Sequence, residues 1–206
     1  MKLYHFPLSG HSHRAALFLT LCGLPFEIVP VDLARGQQKE KDFLALNPFG
    51  EVPVLVDGQH VIADSHAILL YLARKTGPSH WYPEDPCTQG EIQKWLAVSA
   101  GKIAYGVCTA RLITLFGAQD DAEKAIALAH TTLKVIEQRL GATDWIAGTP
   151  APTIADIALY SYVAVAPEGN VSLIPYPAIR HWLSRLERLP GFVPMPRSKV
   201  GMSAEC

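Results

Sequence analysis

What is missing from the 206 residues narrows the field first. There is no long run of one charge: 18 lysines and arginines stand against 19 aspartates and glutamates, a formal net charge of −1. That balance gives no electrostatic case for nucleic acid or a membrane surface, and turns attention to small molecules and other proteins. The four cysteines, Cys22, Cys87, Cys108 and Cys206, are far apart and form no C-x-x-C, so neither a zinc site nor a redox dithiol is signalled. No uninterrupted apolar run approaches the roughly 18 residues that span a bilayer. The opening Met1-Lys2-Leu3-Tyr4-His5-Phe6-Pro7 reads as a strand, not as a secretory leader. The expectation is a cytoplasmic protein without a metal. What is present is an ordinary globular composition, 49% apolar, enough to bury the core of one large domain or two small ones.

The stretch Asn47–Gly77 carries three local signals in a fixed order. Val52-Pro53 opens an apolar run, where proline removes a ladder donor. Val54-Leu55-Val56, the pair Asp57-Gly58 and His60-Val61-Ile62 then read as a β-hairpin, because Asp-Gly supplies the positive φ that a tight primed turn demands. Asp64-Ser65 caps a helix through Leu72 that stops at Gly77-Pro78, with Arg74 and Lys75 in its last turn. Together these leave one exposed backbone edge beside one helix N-terminus, a pairing suited to a small anionic peptide.

Upstream, Lys2–His5 and Pro25–Leu33 read as strands around a helix from about Ser12 to Cys22, a β-α-β unit. A polar segment, Ala34–Asp42, leads to a short helix ending before Asn47-Pro48. The order β-α-β-α-β-β-α in the first 77 residues is the thioredoxin-like arrangement. Downstream, the proline-rich Pro78–Cys87 reads as a docked linker, and residues 88–206 are helical in period. One long helix spans Thr88 to about Leu115, with Gly101 and Gly106 expected to weaken or kink it or to admit another backbone. A second runs from Asp120 to Leu140. Thr153-Ile154-Ala155-Asp156 is a capping box opening an uncharged helix, Ile157–Val165, that belongs in the middle of the helical domain. Arg180–Leu189 forms the last helix.

The blocks LYHFPLSGHSHR, NPFGEVPVLVDG with IADSHAILLYL, and PTIADIALYSY together resemble the cytosolic glutathione transferases over nearly the whole chain. The serine in the first block is similar to that of the bacterial and other serine-type classes, such as theta, phi and zeta. The resemblance implies a thioredoxin-like domain (1–77), a linker (78–87) and an all-α domain (88–206) that forms an electrophile pocket. It implies glutathione as co-substrate, with Val52 and a cis Pro53 pairing with the cysteinyl backbone. Asp64 and Ser65 would take the γ-glutamyl end, and Gln38 and Lys39 the glycine carboxylate. It further implies a homodimer with a role in detoxification.

Ser9, between the first strand and first helix, is the candidate for the chemistry. A thiol made about two units more acidic must have its thiolate favoured by about 2.7 kcal/mol. A hydrogen bond to a charged group contributes roughly 1.5–3 kcal/mol, and a helix N-terminus adds up to about 2. A hydroxyl donor at a helix start therefore suffices, and the serine keeps its own proton. Ser12 reads as a plain cap. His11 and His13 do not share a helix face and read as polar residues at the pocket rim. His11, Ser99, Tyr105 and Arg111, with Phe192 or Met195 from the tail, are the candidate walls for the electrophile. Glu51, a carboxylate near the glycine end, opposes an anionic ligand unless it points away. Two other readings stay open: a non-catalytic module of the same family serving binding or assembly, and a glutathione-dependent peroxidase or isomerase on the same fold.

Overall fold

The computed structural model describes residues 1–203. Its first part is a four-stranded sheet built from β1 (Lys2–His5), β2 (Glu27–Pro30), β3 (Val54–Asp57) and β4 (His60–Ala63), in the order β2-β1-β3-β4. β1 runs parallel to β2 across helix α1 (Gly10–Leu21); β3 and β4 are antiparallel to their neighbours. α2 (Lys41–Leu46) and α3 (Ser65–Lys75) complete the thioredoxin-like order. The strand period of two explains the apolar run of β3. Leu55, with Leu3, joins the large core around Phe18, Leu69 and Leu72, while Val54 turns to a second cluster with Val31 and Phe43.

One local detail differs from expectation. The hairpin pairs Asp57 with His60, so its two-residue loop is Gly58-Gln59, one step later than Asp57-Gly58. Positive φ falls only on Gly58, at 60°, the pattern of a turn with glycine in its first central position. The Val52-Pro53 peptide is cis and lies just before β3.

The helical part begins at Pro86, which occupies the first turn of α4 (Pro86–Val98) behind the Asp85 cap. The helix does not break at its glycines. It winds in π register over Ser99–Cys108 and re-enters α-helix as α5 (Thr109–Phe116). A Cβ on Gly106 would lie 2.9 Å from the Ala129 amide nitrogen, so the backbone of α6 (Ala122–Ala142) packs directly on it; Gly101 meets nothing within 4 Å. By length and composition the rod Pro86–Phe116 matches a membrane-crossing helix. Here its apolar side joins the core instead, through Ile92, Trp95, Ile103 and Val107.

α7 (Ile154–Ala164) is buried at every residue. Its capping box forms as expected: the Asp156 carboxylate accepts from the Thr153 amide at 2.8 Å, and also from the Ile146 amide and the Trp182 indole at 2.9 Å each. Burial pushes the Asp156 pKa up, against the pull of these donors. α8 (Pro177–Leu186) starts three residues earlier than Arg180. Its free amides at Ala178 and Ile179 are both taken by the Glu137 carboxylate at 2.9 Å.

Candidate active site

Ser9 is the N-cap of α1, in extended conformation, and its Oγ accepts from the Ser12 amide at 3.2 Å. With a lone pair so occupied, the hydroxyl proton is free to point outward. Ser12 is fully buried and its Oγ accepts from the Phe6 amide, a structural role in the loop. Gly10 is required by close approach: a Cβ there would sit 2.8 Å from the Tyr162 ring. Ser9 lines a hollow of about 540 Å³ with Phe6, Leu8, His11, Leu33, Ala34, Gln38, Gly50, Glu51, Val52, Cys108, Arg111, Leu112, Phe116 and Tyr162.

A second hollow, about 360 Å³, adjoins it and shares His11, Glu51 and Val52. Pro53, Ala63, Asp64, Ser65, Asn47 and Phe49 complete its lining. The ladder registers begin at Val54, and among the described residues the Val52 backbone takes no intramolecular hydrogen bond. Asp64 holds a left-handed φ of 75°, and its carboxylate accepts from the amides of His66 and Ala67 at 2.8 and 3.0 Å. A non-glycine residue at such an angle stores strain, which here aims the start of α3 at the hollow. Asp64 remains mostly exposed, while Ser65 is buried, its Oγ 3.3 Å from Arg14 Nη1 and 3.4 Å from His11 Nδ1.

Behind these residues lies Arg14, a fully buried guanidinium. Its Nη1 donates to Ser65 Oγ and, at 2.6 Å, to His66 Nε2, and it stands 5.7 Å from the Tyr162 ring centroid. Burial first, and the Arg14 charge second, lower the His11 and His66 pKa values to about 3 each. Both imidazoles are neutral at physiological pH, leaving Arg14 as the local cation.

The expected site residues divide. Ser9, Gln38 and Arg111 line the larger hollow, Pro53, Asp64 and Ser65 the smaller, and His11 and Val52 both. Lys39 lines neither hollow; its Nζ donates to the Phe49 carbonyl at 3.1 Å. Gly50, with φ 63°, packs against Lys39 and the Gln38 carbonyl, which ties the two loops together. Glu51 is exposed and lines both hollows.

Four wall candidates are corrected. Tyr105 is 72% exposed and belongs to a separate surface depression with Asp120, Asp121 and Lys124. Ser99 is buried behind α3, donating to the Ala158 carbonyl at 2.9 Å and lying 3.0 Å from His66 Nε2. Phe192 packs edge-on against Tyr160, and Met195 is buried in the core, so the tail does not build the wall. His13 is also no rim residue. It is buried, its Nε2 donates to the Val193 carbonyl at 2.9 Å, and its Nδ1 lies 2.8 Å from Ser161 Oγ.

The walls that sequence reasoning missed include Cys108, Leu112 and Phe116, spaced four apart on one face of α5 and its approach. That spacing was a usable signal. Tyr162, inside an evenly apolar helix, offered none.

The chain matches the family described as "Glutathione S-transferase, N-terminal domain" over residues 8–75 and "Glutathione S-transferase, C-terminal domain" over residues 98–190. It is 34% identical to Glutathione S-transferase 3 of Zea mays, over 95% of this chain and 96% of that one. The crystal structure of glutathione S-transferase from Pseudomonas fluorescens superposes with a TM-score of 0.89 at 33% identity, covering 94% of this chain and 98% of the other. A glutathione transferase homologue from Drosophila mojavensis, solved with bound glutathione, gives 0.83 at 28% identity over 92% and 88%. With both of its halves matched and relatives aligned along nearly its full length, this chain belongs to the glutathione S-transferase family.

Proposed function

We propose that the smaller hollow binds glutathione, that the Ser9 hydroxyl donates to its thiolate, and that the thiolate attacks an electrophile held in the larger hollow. The observation that carries this reading is the position of Ser9. Its oxygen is engaged by a helix amide, its proton is free, and its hollow shares His11, Glu51 and Val52 with the one beneath Asp64 and Ser65. A peptide laid along Val52 would add to the free backbone edge, with its γ-glutamyl carboxylate at the α3 N-terminus and its ammonium near Asp64. The larger hollow is walled mainly by Phe6, Leu8, Leu33, Leu112 and Phe116, which suits an apolar electrophile. Donation from Ser9 favours the thiolate at neutral pH, so the serine acts as electrostatic stabiliser and never as nucleophile.

With no thiol at Ser9 there is no mixed-disulfide route through that position, which places conjugation ahead of thiol-disulfide exchange. We read the protein as a cytoplasmic homodimer with a role in detoxification. Sedimentation at several concentrations tests the assembly, and a monomer throughout would remove it. For the chemistry, Ser9→Ala should lower kcat for a generic aryl halide at pH 6.5 by roughly tenfold or more, since most of the bound thiol is then protonated. Glutathione affinity should change less than threefold. An unchanged kcat would take Ser9 out of the mechanism and favour the non-catalytic or differently activated readings.

A further inference from the structure

The loop that carries Ser9 is held from outside its own domain. Arg111, on α5, is 1% exposed and donates through Nη1 to the carbonyl of Leu8 at 2.7 Å, one residue before Ser9. Its Nε donates at 2.7 Å to the carboxylate of Glu168, whose side chain is likewise 1% exposed. The other Glu168 oxygen accepts from the Ser198 amide in the tail, also at 2.7 Å. Gly169 lets this arrangement close: a Cβ there would lie 2.6 Å from the Arg111 amide nitrogen, so the turn Ala166–Gly169 is pressed against α5 with Glu168 beside Arg111. Ser198, Glu168, Arg111 and Leu8 form one line from the tail to the Ser9 loop, buried at its centre, Glu168 and Arg111.

We infer that Arg111 is a positioning residue for thiolate activation, fixing Ser9 through the Leu8 carbonyl and thereby making activation depend on the helical domain. The inference rests on Ser9 being the thiolate donor. Two physical effects act together. A carbonyl left bare beside the larger hollow would present a negative dipole where the thiolate forms, and Arg111 covers it. A planar guanidinium with two bonds at right distances also fixes the loop far more tightly than a single-point ammonium. The Arg111–Glu168 pair is neutral as a whole, and its neighbours Cys108 and Tyr162 are pushed up by burial and stay protonated. Arg111 therefore acts by placing Ser9, not by adding net charge to the hollow.

The test compares the ultraviolet thiolate absorbance of bound glutathione, across pH, in five proteins: wild type, R111M/E168L, R111K, Ser9→Ala, and Ser9→Ala combined with R111K. Arg111→Met alone would strand a buried carboxylate, so the informative variant replaces the pair, R111M/E168L, since swapping a buried ion pair for apolar residues is often neutral for folding. R111K keeps the charge but has one nitrogen for two partners. The expected result is that both variants bind glutathione within about threefold of wild type, while the thiol midpoint rises by about one pH unit, close to a tenfold loss of thiolate at pH 6.5. Adding R111K to Ser9→Ala should then shift the midpoint no further, which a merely structural contact would not produce. Variants that bind glutathione with the wild-type midpoint would overturn the inference, as would failure of both to fold, which would make the line a folding element only. A wild type whose bound thiol titrates normally would instead sink the Ser9 reading itself, and this inference with it.

Discussion

Asp64 performs two tasks at one strained position, and the two are separable by substitution. Its carboxylate caps α3, a contribution of about 1 kcal/mol, while its φ of 75° opposes any residue with a Cβ. Asp64→Gly should therefore be less destabilising than Asp64→Ala in urea unfolding, by roughly 1 kcal/mol, although both lose the carboxylate facing the smaller hollow. Equal destabilisation would mean that the backbone angle is relaxed in solution. Three histidines, His13 buried and His11 and His66 partly so, supply a second residue-level expectation. His11 and His66 have folded pKa values of about 3, and His13 of about 4, all below the unfolded value of about 6.5. Above pH 6.5 both states are neutral and stability is full. Between that value and about 4, the unfolded chain binds protons the folded one refuses, so stability falls as pH falls. His13→Gln should flatten part of this slope in unfolding curves taken from pH 7 to 4; an unaltered slope would show that His13 is protonated in the fold. Of these residues the sequence made Ser9, Asp64 and Ser65 visible through their place at helix starts. Arg14, one turn into α1, carries no such local mark. Its burial depends on Ser65, His66 and Tyr162 converging from distant parts of the chain.

At the scale of elements, the long helix shows where local signals stop being sufficient. Gly101 and Gly106 look alike in sequence, and both stand in the π-wound stretch. Only Gly106 meets another backbone, that of α6. Gly106→Ala should destabilise by about 1–3 kcal/mol through overpacking against Ala129, whereas Gly101→Ala should be neutral or stabilising by up to about 1 kcal/mol. Thermal unfolding of the two single variants measures this, and an equal response would contradict the packing assigned to Gly106. The capping box of α7 was legible because its donors and acceptors lie within four residues. The π register was not, since it answers to the neighbouring helix. The one-residue displacement of the hairpin turn has a similar origin: the pairing of Asp57 with His60 is set by the alternation of Val54 and Leu55 between two cores.

For the whole molecule, the division into a sheet part and a helical part could be read from the change of period near residue 78, and the fold class followed. The wall of the larger hollow was less accessible. Tyr105 and Ser99 sit on the correct helix but on other sides of it, because the π turn rotates the faces between them and Arg111. Lys39, placed for the glycine carboxylate by resemblance, spends its ammonium on the Phe49 carbonyl, while Glu51 is among the residues that line the smaller hollow. In the binding mode proposed above, Asp64 and Glu51, which line the smaller hollow, and Arg14 behind Ser65 should set glutathione affinity together.

The most direct test of the central claim is the ultraviolet thiolate absorbance of glutathione bound to the wild type and to Ser9→Ala, followed from about pH 5 to 9. The wild type should show a midpoint about two units below the free thiol value of about 8.5, and the variant, with binding retained, a return toward that value. A bound thiol that titrates identically in the two proteins would contradict it.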